Sequence, residues 1–546
     1  MTLLAAFAYQ LCCALLPLPF LNRFLLRMDD AYYYFQSARN FADHGLLSFD
    51  GIHRTSGVQL LWEGVLCGLA LLVKDRVTFL HAILVLCALL NLGAGVAFGR
   101  LAGTLASRRV AALCQVLWAG FMVGLVPTMM GMEYSLQVLL LLLATGSAWR
   151  ALHAAQPAPA LTLLARGSLL GLLFWNRLDA ALIAMALWAV MVWSARRTTG
   201  GSTSAFMREI CLLSAPPAVA AIAYVVACEA LAGTPTPISG AVKALYASRH
   251  FDAYPLRVAL AGHVFWFVEM LLAPLVDLVS NALRADHRSL FGALGLLALG
   301  STGLVLVLGL RAAARVPERR PLLRFLSFLT AVNVLHVAMV VLRISYFAHV
   351  TVHYYGFLLI TVIIALAVAL DALSTAPAQP SVRLRVLPAA LLVLLGLHIH
   401  EAAQPFAGES LVCLHNRRLP VMQWVATHLP IDARIGAWNA GQLGYFTGHP
   451  VVNLDGLAND RSYLGQLRAR TPVMDYLRAE HIDYLIDVDA PDLTFPYKAQ
   501  WDGARIFRNA IPWEQLERLY VEPANEHPIV VARVAGARLA RGDATR

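Results

Sequence analysis

Charge is scarce in this sequence. Only 14% of its 546 residues are Asp, Glu, Lys or Arg, against 59% hydrophobic, and mean hydropathy is +0.63. A chain of that composition is not a water-soluble globule. Its eight cysteines contain no CxxC or CxxH spacing, so neither a zinc site nor a disulfide framework is indicated. All but Cys413 lie in or beside apolar segments. No Asn-x-Ser/Thr acceptor occurs, which favours a bacterial source over a glycosylated secretory protein. No internal repeat is present, which argues against a carrier built from repeated halves. The net charge of +10 resides mostly in arginines of short loops between apolar runs. That pattern points to anionic membrane lipids as partners and to no nucleic acid.

What the chain has in abundance is apolar runs of about 16–24 residues, each near the length a helix needs to cross hydrocarbon. They recur from 3–24 to 386–400, and the first lacks the basic start of a cleavable signal, so it is read as a retained span. Four arginine groups mark the inside: 100/108/109, 196/197/208, 311/315/319/320/324 and 383/385. They share one side only if some segments do not span. Two qualify: 58–73 is short and carries Glu63, and 255–280 carries His263, Glu269 and Asp277, as an interfacial helix would. The expected architecture is an α-helical polytopic membrane protein of about 11 transmembrane helices plus interfacial helices. Residues 1–400 form its transmembrane domain, and 401–546 a soluble α/β domain on the extracytoplasmic side.

On that outer side the polar groups gather. Asp29 and Asp30 precede a ring-rich stretch, Tyr32 to Phe41, with helical spacing. One aspartate suffices as a helix cap. The second invites a chemical role, either as general base on an acceptor hydroxyl or as an orienting group or metal ligand. Asp30, nearer the helix start, is the expected cap, which favours Asp29 as base. Glu133 opens an apolar helix, as a first-turn acid does, and is a candidate acceptor-binding or metal-binding carboxylate. Arg177 and Asp179 interrupt a long apolar stretch, and their spacing excludes a pair along one helical face. The stretch Gly233 to Lys243 reads as a loop stiffened by Pro235 and Pro237, with hydroxyls and one ammonium suited to a phosphate. Arg343, His349, His353, Tyr354 and Tyr355 form a second polar and aromatic cluster, partly explained by interfacial anchoring.

Taken in order, these motifs resemble the GT-C superfamily of integral-membrane glycosyltransferases. The similarity is to bacterial members related to protein O-mannosyltransferases and lipid A aminoarabinose transferases. It rests on Asp29–Tyr33 with Thr55–Trp62, on Gly131-Met132-Glu133 and on Arg177-Leu178-Asp179. It extends over Pro237–Lys243, His353-Tyr354-Tyr355 and the tail segments Gly436–Gly441 and Asn453–Leu457. The resemblance implies inverting transfer of a sugar from a polyprenyl-phosphate donor to a glycan, lipid or protein acceptor outside the bacterial cytoplasmic (inner) membrane. It implies an acid of the first outer loop, Asp29 or Asp30, as base, and a second-loop acid at Glu133. Arg177, Lys243, Arg343, His353 and Tyr354 are the candidates for the donor phosphate. Family members often have Trp-Tyr-Tyr where this chain has His353-Tyr354-Tyr355. Metal dependence varies in the superfamily, so a divalent cation is left open and no other cofactor is implied. The rival readings are a polytopic transporter and a lipid-linked sugar flippase.

In the tail, Arg434–Trp438, Val451–Leu454, Tyr484–Val488 and Ile529–Ala532 read as strands, and Pro420–His428, Thr471–Glu480 and Pro512–Leu519 as helices. Trp438, Asn439, Asn453 and Asp455 fall at strand ends, where ligand contacts are common. The arginine-based topology makes a prediction. A cysteine replacing Leu245 reacts with an impermeant thiol reagent added to intact cells, and labelling seen only after lysis overturns the assignment.

Overall fold

The computed structural model describes residues 2–19, 21, 25–26, 28–123, 130–253, 255–279, 290–344, 352–375, 414–488, 511, 513–522 and 528–534. Its apolar runs are helical because only a helix satisfies its own backbone without water. In chain order these are α1 (Thr2–Ala14), α2 (Asp29–His44), α3 (Leu60–Leu72), α4 (Arg76–Leu105), α5 (Arg108–Val123), α6 (Tyr134–Leu152) and α7 (Ala160–Asn176). There follow α8 (Ala181–Thr198), α9 (Thr203–Ala232), α10 (Ile238–Ala253), α11 (Leu256–Val279), α12 (Leu290–Ala314), α13 (Arg320–Ile344) and α14 (Val352–Thr375). Among the described residues six helices are long and apolar enough to cross a membrane, within Arg76–Leu105, Tyr134–Leu152, Leu178–Thr198, Thr203–Ala232, Pro317–Arg343 and Gly356–Ser374. The first segment is shorter than expected: α1 stops at Ala14, and Pro17 and Pro19 follow at once. The expected span at 386–400 lies outside the described residues.

The chain divides into two compact units, each discontinuous in sequence. One comprises Met1–Leu16, His81–Ile222 and Gly262–Gly408; the other comprises Pro17–Leu80, Ala223–Ala261 and Glu409–Arg546. In the first, helices meet through small residues and a few polar pairs, as expected where the hydrophobic effect cannot drive helix association. Pro217 has no N–H to give the Leu213 carbonyl, and that carbonyl lies where a Cβ on Gly167 of α7 would stand. Trp175 donates to the Ala220 carbonyl at 2.6 Å, just past the two prolines. Asn333 of α13 donates to Thr361 of α14 at 2.8 Å. Asp371 accepts from the Ser107 N–H at 2.8 Å and from Arg319 at 2.7 Å.

The second unit contains the tail. Its helices are α15 (Leu414–His428), α16 (Gly441–Thr447), α17 (Arg461–Ala469) and α18 (Val473–Ala479). Its sheet has five strands: β1 (Ile435–Ala437), β2 (Val451–Asn453), β3 (Tyr484–Val488), β4 (Leu516–Val521) and β5 (Ile529–Val534). They are ordered β2-β1-β3-β5-β4, with β2, β1 and β3 parallel and β5 and β4 antiparallel. The expected helix at Pro512–Leu519 is instead one 3-10 turn, Trp513–Gln515, running into β4. Edge strand β4 gains its ladder only from β5, a long-range partner that local pattern does not reveal. The same unit includes α2, whose residues Ala31 to Asn40 are all buried. Tyr32 packs against Tyr445 and Phe446, and Tyr33 against Phe49, at centroid separations of 5.5, 5.4 and 4.9 Å. The ring-rich stretch is thus enclosed from Ala31 to Asn40, and the helix is exposed only toward its C-terminal end.

The Gly-rich turn after α2 is tied into this unit by His53. Its Nδ1 lies 2.6 Å from Asp50 and its Nε2 lies 3.1 Å from Glu480 just after α18. Burial opposes charge on the ring, but the hydrogen bond and charge of Asp50, with Asp460 and Glu480, prevail and raise the pKa to about 9. The folded state therefore binds this proton more tightly than the unfolded chain. The contribution is fully present below the ordinary histidine value and is lost as pH rises through about 9. Thermal unfolding of the wild type and His53→Gln should differ most below pH 6.5, and the difference should vanish above about pH 9.

Candidate functional site

The parallel strands β2, β1 and β3 present their C-terminal ends along one edge of the sheet, the edge where open α/β sheets place their sites. Here that edge is occupied by α2. The Tyr33 hydroxyl accepts from Asn453 Nδ2 at 3.0 Å, just where β2 ends, and from the Ala440 N–H at 3.3 Å. Asp487 on β3 accepts the N–H groups of Trp438 and Asn439 at 2.9 and 3.1 Å, and so fixes the turn that leaves β1. Burial first, then the negative charges of Asp455, Asp29 and Asp30, hold the Tyr33 pKa well above its ordinary value. Tyr33 is accordingly a neutral hydroxyl, and it donates to the Trp438 carbonyl at 3.5 Å. Asn453 also accepts from the Ala458 N–H at 3.0 Å, and Asp455 from the Leu457 N–H at 2.9 Å. Of the strand-end residues singled out in the sequence, Asn439 and Asn453 are thus engaged in holding loops and α2.

Both aspartates lie in the first turn of α2, where a negative charge is favourable. Neither is the cap. Met28 holds that position and makes no side-chain cap bond, which corrects the expectation that Asp30 is committed to capping. It is Asp29 that is committed. Its carboxylate accepts from Arg418, from the Gly441 N–H at 3.0 Å and from the Gln442 N–H at 2.9 Å. Gly441 is needed there, because any Cβ would collide with the Asp29 carbonyl. Arg418 is 4% exposed and Asp29 16%, so the pair is largely dry and its charge-assisted bonds are strong ones. Asp30 follows it on the helix and is half-exposed. Nothing in the sequence marked Arg418, which lies 389 residues from Asp29.

The stretch Gly233 to Lys243 is only half a loop. Helix α10 begins at Ile238, whose N–H donates to Ser56 Oγ at 3.2 Å, so Lys243 stands in its second turn, half-buried. One turn further on, Tyr246 donates to the Asp455 carbonyl at 3.4 Å. Lys243 therefore stands on a helix that packs against the same loop as Tyr33's carboxylate neighbour.

A second constellation belongs to the other unit. Gly131, with φ +74°, turns the chain so that Glu133 sits at the N-terminus of α6 with 1% exposure. Arg177 donates to Glu133 Oε1 at 2.5 Å. It also grips Asp179 with two bonds, Nε to Oδ1 at 2.9 Å and Nη2 to Oδ2 at 3.1 Å. The sequence spacing had excluded such a pair within one helix. It forms because the helix is broken: Arg177 is extended, at φ −153° and ψ 122°, and a 3-10 turn, Leu178–Ala180, separates α7 from α8. The Tyr354 ring lies 4.9 Å from the guanidinium, and His336 Nε2 lies 3.4 Å from Asp179. Asn176 donates to Gln137 at 2.8 Å and secures the approach of α7 to α6. Glu133 Oε2 has no hydrogen-bond partner among the described residues.

Of the other expected donor-phosphate residues, Arg343 is exposed in the last turn of α13, and His353 falls in the first turn of α14. The side chains of His353 and Tyr355, and all of His349, lie outside the described residues. Among the described residues no three His, Cys, Asp or Glu side chains gather to hold a metal ion. With Asp29 engaged by Arg418 and Glu133 by Arg177, the carboxylates present do not form a ready cation site.

Removing one member of the Glu133–Arg177–Asp179 set leaves a buried charge uncompensated. Arg177→Met should lower stability by about 3–5 kcal/mol, and pairing it with Glu133→Gln should recover part of that. Thermal unfolding in detergent checks this, and equal stability of the wild type and the single variant would refute it.

Comparison with known proteins bears on the fold. The model of a domain of unknown function, DUF8728, matches residues 411–527, within the tail. No curated protein sequence matches the chain. Among solved structures, apo ArnT from Cupriavidus metallidurans is similar over 99% of this chain and 98% of its own, with a TM-score of 0.52 and 13% identity. The same enzyme bound to undecaprenyl phosphate gives a TM-score of 0.51 at 12% identity, with the same coverage. The apo oligosaccharyltransferase of Archaeoglobus fulgidus is similar over 89% of this chain and 69% of its own, with a TM-score of 0.52 and 12% identity. The protein has a GT-C-like fold, a helical membrane-type body with a small C-terminal sheet.

Proposed function

We propose that this protein is a membrane glycosyltransferase that moves a sugar, with inversion, from a polyprenyl-phosphate donor to a hydroxyl of an extracytoplasmic glycan, lipid or protein. The fold shared with ArnT, which has been solved bound to undecaprenyl phosphate, supports a lipid-linked donor. The observation that carries the reading is a pair of adjacent carboxylates in the first turn of α2, the first of which, Asp29, is fastened by Arg418 and two backbone N–H groups.

Under this reading Asp29 is a positioning residue and Asp30 the base. A carboxylate whose oxygens already accept from three donors has little room left to take up an acceptor hydroxyl. Asp30 takes the proton of the acceptor hydroxyl as that oxygen bonds to the anomeric carbon. The bond from that carbon to the phosphate oxygen breaks, and the lipid phosphate departs with its electron pair. Lys243, on α10, is assigned to that departing charge, where a fixed cation contributes most. Arg177 is assigned a bracing role, since its guanidinium is already divided between two carboxylates. No step is routed through a metal ion.

The test is sugar transfer in liposomes supplied with a polyprenyl-phosphate sugar. Asp30→Asn should lose about 100- to 10,000-fold in turnover, the usual worth of a general base, with its melting temperature unchanged. Asp29→Asn should melt lower and lose turnover in proportion to unfolding. Full activity of Asp30→Asn removes the base assignment, and no transfer by the wild type with any such donor removes the enzyme reading.

A further inference from the structure

Helices α6, α8 and α13 carry residues of the Glu133–Arg177 constellation at or toward one end. At the other end of the same helices lies a cavity of about 430 Å³, formed by the last turns of α6 and α8 and the first turns of α13. Helix α8 begins at Ala181 and lines the cavity from Ala189 to Arg197, so at 1.5 Å per residue the cavity lies about 12–24 Å along the helix from its start. The cavity size falls within the range of small-molecule sites. Its walls are apolar, with Val190, Trp193 and Phe325 prominent, and Arg197 and Arg324 line it beside His153. Among the described residues no acidic side chain lines it.

The two arginines differ from Arg319 and Arg177 of the same unit in what meets them. Arg319 is neutralised by Asp371 at 2.7 Å, and Arg177 by two carboxylates. Arg197 stacks over Trp193 at 4.7 Å and donates to the Leu152 carbonyl, and Arg324 is exposed. Among the described residues neither has a carboxylate partner. Two guanidiniums without counter-ions at the mouth of an apolar cavity meet the needs of one ligand chemistry, a phosphate joined to hydrocarbon. A free anion would gain nothing from the Trp193 and Phe325 walls. The half-exposed Trp193 is typical of side chains at the headgroup level. The arginine-rich helix ends are also those that the positive-inside rule assigns to the leaflet rich in anionic lipids.

We propose that this cavity binds an anionic glycerophospholipid, with its phosphate against Arg197 and Arg324 and part of an acyl chain along Val190, Trp193 and Phe325. The site is separate from that proposed for the sugar donor and does not depend on the chain being a transferase. Its occupant links α6, α8 and α13 at one end, as the Glu133–Arg177–Asp179–His336 set does toward the other.

Native mass spectrometry of the full-length protein, titrated with phosphatidylglycerol and with phosphatidylcholine of identical chains, tests this. The wild type should retain phosphatidylglycerol in preference. Replacing both arginines (Arg197→Ala with Arg324→Ala) should weaken phosphatidylglycerol about 30-fold and leave phosphatidylcholine unchanged. Filling the cavity by Ala189→Phe should weaken both lipids while the arginines remain. The phosphatidylcholine arm and the elution volume of each variant separate loss of the site from loss of the fold. Equal retention of the two lipids by the wild type overturns the proposal, as does an unchanged double variant. Displacement of phosphatidylglycerol by an equimolar polyprenyl phosphate also overturns it, by assigning the cavity to the donor lipid.

Discussion

A carboxylate that leaves water must be met by donors or by a cation, and Asp29 is met by both. Arg418, the Gly441 N–H and the Gln442 N–H converge on it from the tail. Much of the second unit follows from that convergence. It sets the start of α2, and with it the place of Tyr33 across the ends of β1 and β2. It also fixes α16, whose Tyr445 and Phe446 then cover Tyr32. The desolvation of Arg418 and Asp29 is tolerable only because the geometry satisfies both. A residue exchange at either partner is therefore felt across the whole strand edge.

The first unit solves the same problem by a different route. There the expensive group is a guanidinium, and its partners come from a deliberate break between α7 and α8. An unbroken helix would place Arg177 and Asp179 on different faces. The extended backbone at Arg177 brings Asp179 under its fork and leaves Nη1 for Glu133 at the start of α6. Both solutions use an irregular backbone segment to make a charged cluster affordable in a chain with few charges.

Much of this was legible in the sequence. Helical spacing after Asp30 gave α2, the apolar runs gave most of the membrane-type helices, and the motif order pointed to a GT-C-like fold. What escaped was whatever depended on a partner far along the chain. Arg418 looked like one of many arginines, since nothing local distinguishes the one that meets Asp29. The segment after Pro512 had helical spacing, yet β5 drew Leu516–Val521 into a strand. Lys243 was read as a loop residue because Pro235 and Pro237 end one structure, and a proline just ahead of a helix is equally at home. The Arg177–Asp179 pair was not legible because a four-residue helix break, one extended residue and a 3-10 turn, has no signature in composition.

The 389 residues between Asp29 and Arg418 also set an order of events during synthesis. At the usual 5–20 residues per second, Arg418 is made roughly 20–80 s after Asp29. Until then α2 carries three tyrosines, two phenylalanines and three carboxylates without the tail surfaces that later cover it. The nascent protein thus has a waiting state in which its most aromatic helix is only partly covered, and the closing ring of contacts is completed from the C-terminal end. Loss of the last third of the chain would leave that state permanent, so truncation should be read by quality control at the N-terminal helix, far from the missing sequence.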